Sequence, residues 1–136
     1  MSDLNKAVVR QLYEAINSGD LGIFDTVVAD SFVEHEETPG LSPDREGVKA
    51  FFTMVLGAFP DFRMDIELIL AEDDLVSALV VATGTHKGEF MGIPATEKSV
   101  SVNVSDLFRI QDGKVAEHWG VMDSASMMQQ LGVGAA

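Results

Sequence analysis

The chain contains no cysteine among its 136 residues, and its basic residues are scarce. Without cysteine it can form no disulfide, no thiolate zinc site and no cysteine nucleophile, which suits a cytoplasmic protein. Nine Lys and Arg stand against 22 Asp and Glu, for a formal net charge of −13. Because phosphates and anionic lipid headgroups would be repelled by this charge, we expect neither nucleic acid nor a membrane as a partner.

Other absences narrow the class of protein further. No apolar run reaches the length of a membrane span, and the first residues are too polar for a secretory signal. The three histidines, His35, His86 and His118, lack the spacing of metal ligands, and no glycine-rich phosphate loop leads into a helix. The sequence therefore offers no motif for a metal or a nucleotide cofactor.

Apolar residues recur at helical spacing in the first half of the chain and alternate with polar residues in the second half. Helices are predicted over about 3–17, 21–28, 45–59 and 124–132, and strands over about 62–70, 75–86, 99–110 and 114–122, with a short extended segment at 32–35. This order predicts one α+β domain over residues 1–132, followed by a frayed tail at 133–136. We expect a cone: a curved antiparallel sheet wrapped around the N-terminal helices. Small residues on strand positions that could face inward leave room for an apolar pocket.

The last two strands carry the chemistry, and their turn at Asp112-Gly113 decides which side chains meet. A two-residue loop would place Asp106 opposite Trp119. A three-residue loop ending in a left-handed Gly113 would place Asp106 opposite His118, and the position of the glycine favours this register. A carboxylate and an imidazole would then share a mostly apolar face, which indicates an acid/base site.

Asp106 and His118 are therefore the candidate catalytic residues, the alternative being a purely structural pair. Further residues are candidates for contacting a ligand in the pocket: His35 at its mouth, Tyr13, Phe108, Gly120, Met122 and His86. Each has a simpler alternative. A solvated surface position would account for His35, a hydrogen bond that stabilises a turn for His86, and core packing for Tyr13.

The opposite face of the same hairpin is apolar. Leu107, Val115, Trp119 and Val121 fall on the parity that points away from the helices. A free monomer would expose these side chains to water, so we expect a homodimer through the sheet.

Four segments of the chain, in order, resemble the SnoaL-like proteins, which are the ester-cyclase type of polyketide cyclase within the nuclear-transport-factor-2-like superfamily. The segments are AFPDFRMDIELILAEDD, VATGTHKGEFMGIPATEKSV, DLFRIQDGKVAEHWGVMD and QQLG. The resemblance implies an α+β cone, a dimer and a deep apolar pocket in which an acidic residue removes a proton α to a carbonyl, without a cofactor.

This chain departs from the family at the expected catalytic positions. The resemblance places the catalytic aspartate of the cyclases at Gly120, two residues after His118, and places a second pocket histidine at Asp106. The leading hypothesis is therefore a cofactor-independent enzyme for a small hydrophobic carbonyl compound, with Asp106 as the acid/base and His118 assisting. The rivals are a non-catalytic protein that binds a hydrophobic ligand and a dimeric interaction module of the same fold.

Overall fold

The computed structural model describes residues 2–36 and 38–133. The helices are α1 (Ser2–Ser18), α2 (Phe24–Val27, after a 3₁₀ turn at Leu21–Ile23), α3 (Arg45–Ala58) and α4 (Ser124–Leu131). The strands are β1 (Val28–Glu34), β2 (Arg63–Glu72), β3 (Leu75–Thr85), β4 (Ser99–Gln111) and β5 (Lys114–Met122). The last three residues of the predicted frayed tail lie outside the described residues.

Side-chain caps fix the starts of two helices. The Asp44 carboxylate accepts a hydrogen bond from the Gly47 N–H at the start of α3, and Asp123 accepts one from the Ser126 N–H at the start of α4. Each cap satisfies a donor that the first helical turn leaves unpaired. None of the helices among the described residues is long and apolar enough to cross a membrane.

The five strands form one open sheet in the order β1-β5-β4-β3-β2. Strands β2 to β5 are antiparallel, as predicted, whereas β1 is a fifth strand that pairs in parallel with β5. The sheet is therefore mixed. Strand β1 was predicted only as a short extended segment at 32–35. Its sequence does not alternate with a period of two because its pairing with β5 is irregular: Val28 pairs with Val115, and the register then shifts before Val33 pairs with Glu117. The α+β class is confirmed.

The helices cover one face of the sheet and bury most of the apolar side chains there. Helix α1 packs Val9, Leu12 and Ile16 against strand residues such as Val76 and Val80. Helices α3 and α4 build a second cluster on the same face. Burial of this apolar surface is the main stabilising contribution to the fold.

The hairpin between β4 and β5 differs from the favoured prediction. Asp112 and Gly113 both have positive φ, 52° and 74°, so the turn has two residues, with Gln111 paired to Lys114. A bulge at Ala116 then shifts the register between Arg109 and Ile110. The three-residue loop is therefore wrong.

The bulge decides which residues face the helices. Asp106 lies opposite Gly120, and His118 lies opposite Phe108, so Asp106 and His118 are diagonal neighbours on one face. A bulge of one residue restores the parity that the two-residue turn alone would have reversed. Val115 lies on the turn side of the bulge, opposite the inward-facing Ile110, and it therefore faces the core, where it is 1% exposed. Val115 is therefore not part of an outer patch, contrary to the prediction.

Candidate active site

A cavity of about 520 Å³ lies between the helices and the inner face of the sheet. Its walls are mostly apolar and come from α1, α3, α4 and the inward residues of β4, with Phe52, Phe59, Val102 and Met127 among them. Residues 38, 39 and 41–43, in the loop after β1, line it as well. A volume of this size matches pockets for small organic ligands.

Four polar side chains from four elements form a hydrogen-bonded chain at the wall of this cavity. The Tyr13 hydroxyl donates to Asp106 Oδ2 at 2.5 Å, and His118 Nε2 lies 2.8 Å from Asp106 Oδ1. His118 Nδ1 lies 2.6 Å from Glu34 Oε2. We call Tyr13, Asp106, His118 and Glu34 the buried chain, because all four line the cavity and Asp106 is only 5% exposed.

The fold holds the buried chain from several sides. Tyr13 projects from the buried stripe of α1, Asp106 and His118 face inward from the hairpin, and Glu34 ends β1 beside β5. The Phe108 ring packs between them, with its centroid 6.0 Å from that of Tyr13 in an edge-to-face arrangement and 4.9 Å from that of His118. These contacts restrict the rotamers of the polar side chains.

The two carboxylates beside His118 control its protonation. Burial lowers the pKa of the His118 ring, but the hydrogen bonds to Asp106 and Glu34, together with their negative charges, outweigh it and raise the pKa to about 10. His118 is therefore an imidazolium at neutral pH and donates from both ring nitrogens. Burial and the Asp106 charge raise the pKa of Tyr13, so its hydroxyl stays protonated.

Gly120 lies against this pair, and its lack of a side chain is a steric requirement. A Cβ there would overlap Glu36 Oε1 and would lie 2.7 Å from His118 Cε1 and 2.9 Å from Asp106 Oδ1. A side chain at position 120 would therefore force the hydrogen-bonded pair apart.

Glu36, Asp106 and His118 also place possible metal-ligand atoms within 4.8 Å of one another. Both ring nitrogens of His118 already face carboxylates, so a metal ion would have to displace one of these hydrogen bonds. The cluster places the His118 imidazolium among the carboxyl groups of Glu34, Glu36 and Asp106.

The other candidate ligand contacts divide into two groups. Phe108 and Met122 line the cavity, whereas His35 and His86 do not. The His35 ring stacks on Trp119 with centroids 4.7 Å apart, and its Nε2 lies 2.9 Å from Glu117 Oε2. The predicted place of His35 at the pocket mouth is therefore corrected.

His86 is fully buried behind the cavity wall. Its ring stacks on Phe59, with centroids 5.2 Å apart. Its Nδ1 lies 3.0 Å from the Thr96 hydroxyl and accepts the Thr96 N–H at 3.3 Å. These hydrogen bonds join the end of β3 to the loop before β4. They match the alternative role predicted for His86, which is to stabilise a turn.

Glu34 and Glu36 also line the cavity and were not among the predicted site residues. Their spacing was a signal for this position: Glu34 and Glu36 are two residues apart, so in an extended segment their side chains point to one side and that of His35 points to the other. What was missing was the parallel pairing of β1 with β5, which brings that side to His118.

Three comparisons with known proteins agree on one family. The family model described as SnoaL-like polyketide cyclase matches residues 6–131. Aklanonic acid methyl ester cyclase DauD from Streptomyces sp. (strain C5) is 33% identical over 134 residues, covering 92% of this chain and 80% of that protein. The nogalonic acid methyl ester cyclase of Streptomyces nogalater is 37% identical over 90 residues, covering 63% of this chain and 67% of that protein. The crystal structure of IdmH from Streptomyces antibioticus superposes with a TM-score of 0.83 at 36% identity, covering 95% of this chain and 99% of that one.

Proposed function

The chain belongs to the SnoaL-like polyketide cyclase family, and we propose that it is a cofactor-independent acid/base enzyme that closes a ring in a small hydrophobic carbonyl compound of the polyketide ester type. The observation that carries this proposal is the buried chain at the wall of an apolar cavity. The relatives named as cyclases of aklanonic and nogalonic acid methyl esters support the choice of substrate class.

The geometry suits an intramolecular aldol addition. Such a reaction removes a proton α to one carbonyl, joins that carbon to a second carbonyl and delivers a proton to the resulting alkoxide. Asp106 with His118 would serve as the acid/base pair, and Tyr13 would orient Asp106 through its short hydrogen bond. The apolar walls would hold the rings of the substrate and exclude water from the enolate.

The experiment is to incubate the protein with aklanonic acid methyl ester and with nogalonic acid methyl ester, and to follow both by liquid chromatography and mass spectrometry. We expect at least one ester to convert to an isomer of unchanged mass, because an aldol ring closure gains and loses no atoms. Heat-denatured protein is the control. Saturable binding with no conversion of either ester would overturn the enzymatic proposal in favour of a ligand-binding protein.

We also propose that the outer face of the sheet joins two copies of this chain. Leu68, Leu79 and Val121 fall in one cross-strand row, and Leu70, Leu107 and Trp119 fall in the next. Leu70 and Val121 are 71% and 72% exposed. A second copy would bury these apolar side chains. Sedimentation velocity should give the mass of two chains for the wild type and of one chain for Val121→Glu; a monomeric wild type would contradict the proposal.

A further inference from the structure

We infer that Glu36 is a further catalytic residue, the carboxylate that accepts the α-proton of the substrate while the buried chain supplies the proton for the carbonyl oxygen. The inference rests on the function proposed above and assigns its first step to a specific group.

The other carboxylates of the site already accept hydrogen bonds. Asp106 accepts one at each oxygen, from Tyr13 and from His118. Glu34 Oε2 accepts from His118 Nδ1 at 2.6 Å and from the Glu36 N–H at 3.1 Å. Strong donors stabilise the charged form of a carboxylate and make it a weaker base. To take a proton from carbon, Asp106 or Glu34 would first have to give up such a bond.

Glu36 differs from both. Within residues 2–36 and 38–133, its carboxylate makes no hydrogen bond, although it lines the cavity. The residue as a whole is exposed, yet burial of its carboxylate raises its pKa; His118 lowers the pKa, and the charges of Asp106 and Glu34 raise it. A free carboxylate with a raised pKa is a stronger base than an ordinary one.

Gly120 gives Glu36 access to the reacting groups. Glu36 Oε1 occupies the space that a Cβ at position 120 would need. One carboxylate oxygen of Glu36, one of Asp106 and a ring nitrogen of His118 all lie within 4.8 Å of one another. A substrate whose second carbonyl is held by the buried chain would therefore bring the attacking α-carbon close to Glu36. Base and acid would then act on neighbouring atoms of one substrate.

The protons balance over the cycle. The Cα–H bond breaks, its proton passes to Glu36 and its electron pair forms the enolate. The enolate carbon bonds to the second carbonyl carbon, whose π electrons move to oxygen, and the buried chain protonates that alkoxide. Glu36 then returns its proton to the buried chain, so no other reactant is needed.

The test compares ring-closure kinetics of the wild type, Glu36→Gln and Glu14→Gln on the two methyl esters. Glu14 is the matched control because it undergoes the same chemical change on an exposed face of α1. We expect Glu36→Gln to lower kcat at least about 100-fold, the usual size of a lost acid/base group, with KM changed less than threefold. The acid limb of the kcat/KM profile should also disappear, because an amide does not titrate. Glu14→Gln should match the wild type.

Two failures are distinguishable. A wild type that closes neither ring overturns the proposed function and this inference with it. An active wild type whose folded Glu36→Gln variant keeps kcat within threefold overturns the inference alone. Should Glu36→Gln not fold, Glu36→Asp retains the charge and withdraws the carboxylate by one methylene. We then expect kcat to fall at least tenfold, and full activity would overturn the inference.

Discussion

Histidine and carboxylate groups meet on both faces of the sheet where β1 joins β5, and the two arrangements use the same chemical groups in different surroundings. Inside, His118 bonds to Asp106 and Glu34, with side chains that are 6–12% exposed. Outside, His35 bonds to Glu117 at 2.9 Å, and Arg109 joins Glu117 to Asp74 with N–O distances of 2.9 and 2.8 Å. These outer side chains are 30–43% exposed. We call them, with the stacked Trp119, the outer network.

Burial makes the difference between the two faces. In the interior, water cannot screen a charge, so each group needs a partner and the partners change its pKa. At the surface, water and salt weaken the same pairs, which contribute typically under about 1 kcal/mol each. The outer network therefore serves to fasten the end of β1 to the hairpin, whereas the buried chain is suited to proton transfer.

The largest expected effect separates the two faces by activity. Asp106→Asn removes the charge that accepts from Tyr13 and His118, and we expect kcat for ring closure to fall about 1000-fold or more, while the ester Kd changes less than fivefold. Glu117→Gln removes the equivalent charge of the outer network and should leave kcat unchanged. Steady-state kinetics and calorimetric titration check both variants. Equal losses in the two variants would refute a division of function between the faces.

The next effect concerns the space beside the buried pair. In Gly120→Ala the new methyl group would overlap Glu36 and crowd His118 and Asp106. We expect kcat to fall about 100-fold and the free energy of unfolding to fall by about 1–3 kcal/mol. Gly57→Ala is the control, since a Cβ there meets nothing within 4 Å and Ala favours the helix by about 1 kcal/mol. If Gly120→Ala behaves like Gly57→Ala, the close packing has no functional consequence.

Some features of the two faces could be predicted from local patterns in the sequence. Period-two alternation predicted β2 to β5, and it is clearest in β3 and β4, where buried and more exposed residues alternate along the strand. The residue types and their positions along the two strands of the hairpin also predicted that Asp106 and His118 lie on one face. The order of the elements and the small residues on the strands predicted the cone and the pocket, and the family resemblance implied both.

The remainder depended on long-range pairing that leaves no local pattern. The bulge at Ala116 changes the register, and no turn residue in the sequence marks its position. Because of the bulge, Val115 faces the core whereas Trp119 and Val121 face outward. The parallel partner of β1 lies more than 80 residues away along the chain, so Glu34 could not be matched to His118 in advance. His35 was assigned to the pocket because the sequence does not reveal the same pairing, which turns the His35 side chain to the outer face.

A further effect should appear in the pH dependence of stability. The His118 pKa is raised from 6.5 to about 10 in the folded protein, so its stabilising contribution is fully present below about pH 6.5 and is lost as the pH rises toward 10. Between these limits the free energy of unfolding should fall by up to about 1.4 kcal/mol per pH unit. Urea unfolding from pH 6 to 9 measures this slope. His35→Gln should preserve it and His118→Gln should flatten it, and a slope that survives in His118→Gln must come from another group.

The smallest effect tests the outer network itself. Arg109 donates to Asp74 and Glu117 and lies 5.8 Å from the centre of the Trp119 ring, but it is 31% exposed. Because exposed pairs are screened, Arg109→Gln should lower the free energy of unfolding by under about 1 kcal/mol at low salt, and by less in 0.5 M NaCl. Urea unfolding at the two salt concentrations checks this, and kcat should not change. A loss of several kcal/mol that persists in salt would contradict this exposure and would mean that the proposed dimer interface extends from the apolar rows over the outer network.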